Sequence, residues 1–349
     1  MKRLLIIQQH QFGYLTDSYK WCEYLKDKFK ITVLCYYVGR PKEELPGVSV
    51  KYIGLAGGRL LRGLKTFLWA SLLILRNNGP ILIEFFEKCQ FLKCLFPFKK
   101  MFLDIRTLSV DESQVVRDRH NKQIKDACGV FDQVFVISEG VKTKLGNLPK
   151  MRILPLGADV ISVAKKEYNN LKLLYVGTFT NRHVERTIKG IKIFVDRFPE
   201  KKITYDIVGD GNKNELAELK QLVEELKLSS IIHLHGRIPY SQISPFFDKC
   251  NIGVSFVPMT EYYDSQPPTK TFEYALSGLY VLATKTRENE KVITNDNGVL
   301  IDDTECDFAI GLEKISSKMH NLSEKEIRSS LYGHTWNRLI ETSLYQYIK

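Results

Sequence analysis

A chain of 349 residues, 44% hydrophobic and 26% charged, is long enough for two domains with full cores, and its composition excludes the disordered and collagen-like classes. The net charge of +11 is uneven: residues 1–168 hold 28 Lys and Arg against 16 Asp and Glu, giving +12, which leaves 23 against 24, or −1, for residues 169–349. A pI near 9.1 invites a nucleic-acid reading, but no recognition motif accompanies it and one half is neutral; no nucleic acid is expected, and an anionic membrane surface fits better.

The N-terminus, Met1-Lys2-Arg3 and four apolar residues, is too short in its apolar part for a signal peptide and reads as a first strand over 3–9. Apolar runs at 31–38, 48–55, 81–86, 101–106, 133–138 and 152–155 continue the pattern, alternating with helical periodicity. A polar stretch, 162–170, reads as a linker, and the alternation resumes with strands at 172–178, 203–208, 231–236, 252–258, 280–284 and 299–302. Such alternation is the signature of parallel sheets with crossover helices, here in two doubly wound domains. A long amphipathic pattern over 324–349, containing Trp336, closes the chain.

The longest apolar run, 67–75, lies far below the ~20 residues of a spanning helix. Seven cysteines, with no C-x-x-C pair, read as buried thiols in a reducing compartment. The expectation is a cytoplasmic protein, peripheral at the inner face of the cell membrane. The surface expected to meet lipid is 59–102, where Arg59, Arg62, Lys65, Arg76, Lys88, Lys93, Lys99 and Lys100 alternate with leucines and aromatics, densest over 91–100. The alternative for 64–75 is a crossover helix packed on the sheet.

The stretch PPTKTFEYALSG, residues 267–278, carries the most chemistry. Prolines open a short helix and Gly278 closes it. Helical spacing puts Phe272, Ala275, Leu276 and Leu279 on one face and Thr269, Lys270 and Glu273 together on another, beside the helix start. Free N–H groups of the first turn and Lys270 suit a diphosphate, while Glu273 suits the hydroxyls of a ribose; this is a sugar-nucleotide site in outline.

That stretch resembles the donor signature of glycosyltransferase family 4, retaining enzymes of the GT-B fold. Val208-Gly209-Asp210-Gly211 and Tyr175-Val176-Gly177-Thr178-Phe179 resemble its two glycine turns. Three further landmarks follow the family's order: Asp104-Ile105-Arg106, Val136-Ile137-Ser138-Glu139-Gly140 and Leu154-Pro155-Leu156-Gly157-Ala158-Asp159. The resemblance implies an acceptor-binding domain over 1–165 and a donor-binding domain over 170–333, with a helix at about 335–349 packing back on the first. In the GT-B fold two such domains face each other across a cleft.

By the same resemblance Glu273 binds ribose, and Gly177, Thr178, Gly209, Asp210 and Thr269 surround the donor. Arg182 and Lys270 neutralise the leaving phosphates, with Thr178 standing where members carry an Arg. The first of the family's paired glutamates is replaced by Ser265, with Glu261 and Asp264 nearby. Base recognition falls around Arg237 in Gly236-Arg237-Ile238-Pro239. On the acceptor side, Gly13 lies in the loop after the first strand, and Glu84 takes the place of a histidine after the fourth. Glu84 either meets a sugar hydroxyl or the anomeric centre, or caps a helix; Asp104 and Arg106 line the acceptor pocket or pair with each other.

No Asp-x-Asp tripeptide occurs, so no metal and no cofactor beyond the donor is expected. His233 and His235 share a strand face, as structural residues or as two ligands lacking a third. The expected activity is transfer of a hexose, with retention, from a nucleoside-diphosphate sugar, UDP-sugar first, to a glycan or lipid-linked acceptor in bacterial surface polysaccharide synthesis. Two alternatives are a sugar-nucleotide epimerase of the same fold and a non-catalytic nucleotide-sugar-binding subunit.

Overall fold

The computed structural model describes residues 1–212 and 214–349. Strands form where aliphatic and aromatic residues run without interruption, as required of parallel strands covered on both faces. The first sheet comprises β1 (Lys2–Ile7), β2 (Phe29–Tyr37), β3 (Val48–Gly54), β4 (Ile81–Glu84), β5 (Met101–Ile105), β6 (Gln133–Val136) and β7 (Met151–Ile153), in the order β3-β2-β1-β4-β5-β6-β7. The second comprises β8 (Leu171–Val176), β9 (Ile203–Val208), β10 (Ile232–Gly236), β11 (Ile252–Ser255), β12 (Tyr280–Thr284) and β13 (Gly298–Ile301), in the order β10-β9-β8-β11-β12-β13. All pairings are parallel. Every expected strand forms, with shifted ends. The expected 252–258 strand stops at Ser255 because Val257 N and O turn to the Thr284 hydroxyl.

The chain divides into two compact units, Met1–Leu156 with Trp336–Lys349, and Gly157–Thr335. In each sheet the strand order reverses beside the first strand, between β1 and β4 and between β8 and β11, and ligands of doubly wound sheets bind at the carboxyl ends there. Trp336, Leu339, Ile340, Leu344 and Ile348 join Trp21, Phe29 and Phe102 in the core of the first unit. The pattern over 324–349 is thus not one helix: Glu324–Ser330 is helical, a turn over Tyr332–His334 intervenes, and helix resumes at Trp336.

The stretch expected as a linker packs on the second unit instead. Ile161 N donates to Ser277 Oγ (3.0 Å), the Ser162 hydroxyl to Asp248 Oδ1 (2.5 Å), and the buried Lys166 amine to the Phe247 carbonyl. Ser162 and Lys166 are buried with their polar atoms partnered, whereas Lys165, Glu167, Asn169 and Asn170 are exposed. Five cysteines are buried, whereas Cys94 and Cys306 are exposed, so the expectation of buried thiols fails at those two positions.

Candidate active site

The helix Thr269–Leu276 follows Pro268, and its residues from Thr271 to Leu276 are buried. Its position is fixed by a polar network under it: the Thr271 hydroxyl donates to Asn289 Oδ1 (2.8 Å) and lies 2.7 Å from Ser255 Oγ, and Asn289 Nδ2 donates to the Thr284 carbonyl (2.8 Å). Tyr274 packs against β11 at Gly253, where a Cβ would sit 2.2 Å from Tyr274 Cγ. Tyr274 also accepts a hydrogen bond from Val176 N (2.8 Å), tying the helix to the last residue of β8.

One turn into this anchored helix stands Glu273, 3% exposed. Its carboxylate pairs with Lys270 and accepts from the Tyr240 hydroxyl at 3.2 Å. Burial pushes its pKa up, and the Lys270 ammonium opposes the rise. The Tyr240 hydroxyl is also 3.2 Å from Asp159 Oδ2; with one proton it serves one carboxylate at a time.

The two glycine turns meet beside it. Gly209 N donates to the Gly236 carbonyl (2.9 Å), and a Cβ on Gly209 would lie 1.8 Å from the Gly177 carbonyl, so glycine is required by close backbone approach. Gly177 N donates to the Val208 carbonyl (3.0 Å), Phe179 N to the Asp210 carbonyl (2.8 Å), and the Tyr175 hydroxyl to the Thr178 carbonyl (2.6 Å). Arg237, exposed, lies 3.5 Å from Asp210 Oδ2. Gly177, Thr178, Gly209, Asp210 and Arg237 therefore form one strip along the ends of β8, β9 and β10, and Val176 joins that strip to the helix bearing Lys270 and Glu273.

Arg182 lies in the turn before the helix Val184–Arg197, its guanidinium 4.2 Å over the Tyr263 ring. One of its nitrogens, Nη1, is buried without a hydrogen-bond partner, an unsatisfied cationic donor. Ser265, 1% exposed, is in the same segment as Tyr263. Asp264 is engaged elsewhere, accepting from Arg287 N at 2.8 Å. His235 Nε2 lies 2.7 Å from Asp206 Oδ1, and Lys249 2.8 Å from the other oxygen, so this exposed histidine is a hydrogen-bond partner of the buried Asp206 carboxylate. Among the described residues no group of three or more His, Cys, Asp or Glu is placed to hold a metal ion.

In the first unit, Glu84 ends β4 and stands in register with Asp104, the penultimate residue of the adjacent β5. Glu84 Oε1 lies 2.8 Å from His10 Nδ1, while Oε2 is buried and unpartnered. This carboxylate raises the His10 pKa. Asp104 is fully buried, and desolvation, only partly offset by Arg106, pushes it up to about 8. Arg106 lies 3.6 Å from Asp104 and 2.5 Å from Asp17, and donates to the Leu154 carbonyl at 2.9 Å, clamping strand ends together. Gly13 has φ +89°, and a Cβ there would overlap Glu43 Cγ. Sequence reasoning missed His10, Asp17, Tyr240 and Tyr263. His10 had one signal, its position directly after the first strand; the others are found only by long-range packing.

Residues 170–318, most of the second unit, match the family described as glycosyl transferases group 1. No curated protein matches the sequence. Among solved structures, a sucrose-phosphate synthase from Thermosynechococcus elongatus is similar over 99% of this chain and 98% of that one, with 15% identity and a TM-score of 0.75. Anabaena Alr3699/HepE in complex with UDP and glucose covers 99% and 100%, with 12% identity and a TM-score of 0.76. The lipopolysaccharide outer core galactosyltransferase WaaB covers 99% and 100%, with 13% identity and a TM-score of 0.73. At these identities the likeness is one of fold, and that fold is GT-B.

Proposed function

We propose that the protein transfers a hexose from a UDP-sugar to a glycan or lipid-linked glycan acceptor in bacterial surface polysaccharide synthesis. The observation that carries this reading is Glu273, a carboxylate 3% exposed beside a helix start, with Lys270 paired to it. A carboxylate is rarely buried on a helix without partners that favour its charge, and a ribose diol offers two donors to it. In the transfer, the bond from the anomeric carbon to the diphosphate oxygen breaks and its electron pair leaves with the diphosphate. The acceptor oxygen bonds to that carbon and gives its proton to the departing diphosphate. Lys270, Arg182 and the helix-start N–H groups oppose the charge that builds on the leaving phosphates, which on this reading requires no divalent ion.

UDP as the donor nucleotide draws on the Alr3699/HepE structures, which hold UDP, UDP with glucose, or UDP-glucose, and the polysaccharide setting on WaaB. Retention rests on the family 4 resemblance. The first unit, with Gly13, Glu84, Asp104 and Arg106, takes the acceptor, and the protein works at the inner face of the cell membrane. Calorimetry with UDP, followed by UDP-glucose and UDP-galactose turnover with and without chelator, tests the reading. UDP binding, chelator-resistant release of UDP and a product anomer matching the donor's are expected. No UDP binding at millimolar concentration removes it, and turnover that returns only with Mg²⁺ removes the metal-free part.

A further inference from the structure

The helix Arg59–Arg76 faces the wrong way for a soluble protein. The side chains it buries are small or few, Thr66, Ala70 and Ile74, and Phe67 and Leu73 are half-buried, whereas most of its leucines and Trp69 are exposed. Leu60 is 88% exposed, Leu64 and Leu68 57%, Leu72 49% and Leu75 63%, with Trp69 at 49%. At 100° per residue the five leucines fall within an arc of about 120°. Lys65, Arg76 and Arg62 follow along one flank of that arc, Trp69 among them, and the helix contains no acidic residue. The helix Gln90–Leu95 packs beside it and adds exposed Phe91 and Leu95.

The structure also corrects where lipid contact was expected. In 91–100, Lys93 is buried and its amine donates to the Pro97 carbonyl (2.6 Å) and pairs with Asp132 (2.5 Å). Lys99 donates to the Asn77 carbonyl (2.6 Å). Those lysines hold the loop together and are not offered to a partner.

We propose that the outward face of helix 59–76 lies in the plane of an anionic membrane, its leucines among the acyl chains, Trp69 at the boundary, and Arg62, Lys65 and Arg76 on lipid headgroups. A wide apolar stripe with a cationic flank matches such a surface in both respects. Four charged residues prevent the helix from spanning, and no helix among the described residues is long and apolar enough to cross a membrane. The inference rests on the transferase reading only for its purpose, a lipid-linked acceptor; the surface stands on its own geometry.

The test is co-sedimentation of the full chain with vesicles of phosphatidylcholine alone or with phosphatidylglycerol added, at low and high salt. Binding is expected only with the anionic lipid, and weaker in high salt. Leu64→Ser/Leu68→Ser/Leu72→Ser and Arg62→Glu/Lys65→Glu, all on the outward helix surface, should each lower it on the order of tenfold or more. Lys201→Glu/Lys202→Glu, the same charge change on exposed lysines of the second unit, should not. Thermal melts confirm that the variants fold, and UDP calorimetry on the same proteins reports the donor reading separately. The proposal is overturned if wild type stays in the supernatant, if the helix variants sediment like wild type, or if the control loses as much. It is equally overturned if the leucine variant only dissolves a dimer, which makes the occupant a second copy of the chain.

Discussion

His10 Nδ1 lies 2.8 Å from Glu84 Oε1, joining the loop after β1 to the last residue of β4 across the switch point of the first sheet. The contact orients the imidazole of this exposed histidine, with Arg40 the opposing charge nearby and Asp104 on the strand next to Glu84. Glu84 raises the His10 pKa, so the pair stabilises the fold fully below the unfolded value of about 6.5, and this contribution is lost as pH rises through the folded value. Glu84→Gln should lower the His10 titration midpoint in ring-proton NMR and flatten that loss. An unchanged midpoint shows that the two groups are not coupled in solution.

Asp104 has the opposite signature. Its folded pKa, about 8, stands above the unfolded value of about 3.9, so the folded chain keeps a proton that the unfolded chain releases, and stability falls as pH rises between those values. One proton corresponds to at most about 1.4 kcal/mol per pH unit. Asp104→Asn should flatten this decline in urea melts from pH 5 to about 8. A variant with the wild-type slope places the proton elsewhere.

Removing the Glu273 carboxylate by Glu273→Ala should weaken UDP binding by about 1–3 kcal/mol, the loss expected for charge-assisted hydrogen bonds. Calorimetry reads it and circular dichroism checks the fold. Equal affinity in wild type and variant withdraws the ribose assignment.

Lys270→Met and Arg182→Ala should reduce the turnover of UDP-glucose more than the affinity for it, because the phosphate charge is greatest at bond breaking. Losses of the same size in kcat and in donor Kd point to ground-state binding alone.

Gly253→Ala pushes a methyl into the Tyr274 ring, whose hydroxyl accepts from Val176 N. The ring cannot yield without moving the helix Thr269–Leu276, so a stability loss of about 1–3 kcal/mol is expected together with weaker UDP binding. Destabilisation with full UDP affinity uncouples the helix position from the site.

The sheets were legible because continuous apolar runs alternating with helical periodicity admit only parallel strands with crossovers, a local property of the chain. The Lys270–Glu273 pair was legible for the same reason, since residues three apart on a helix are neighbours wherever that helix packs. Tertiary structure alone decided the rest. Glu84 meets His10 across 74 positions, Tyr240 meets Glu273 across 33, and Arg182 lies over Tyr263; strand order and loop path set these encounters, and neither is written in spacing. The helix Arg59–Arg76 is amphipathic by sequence, but periodicity does not say which face docks. The sheet took the narrow face of Thr66, Ala70 and Ile74, because small side chains let a helix approach closely, and the leucines were left outside.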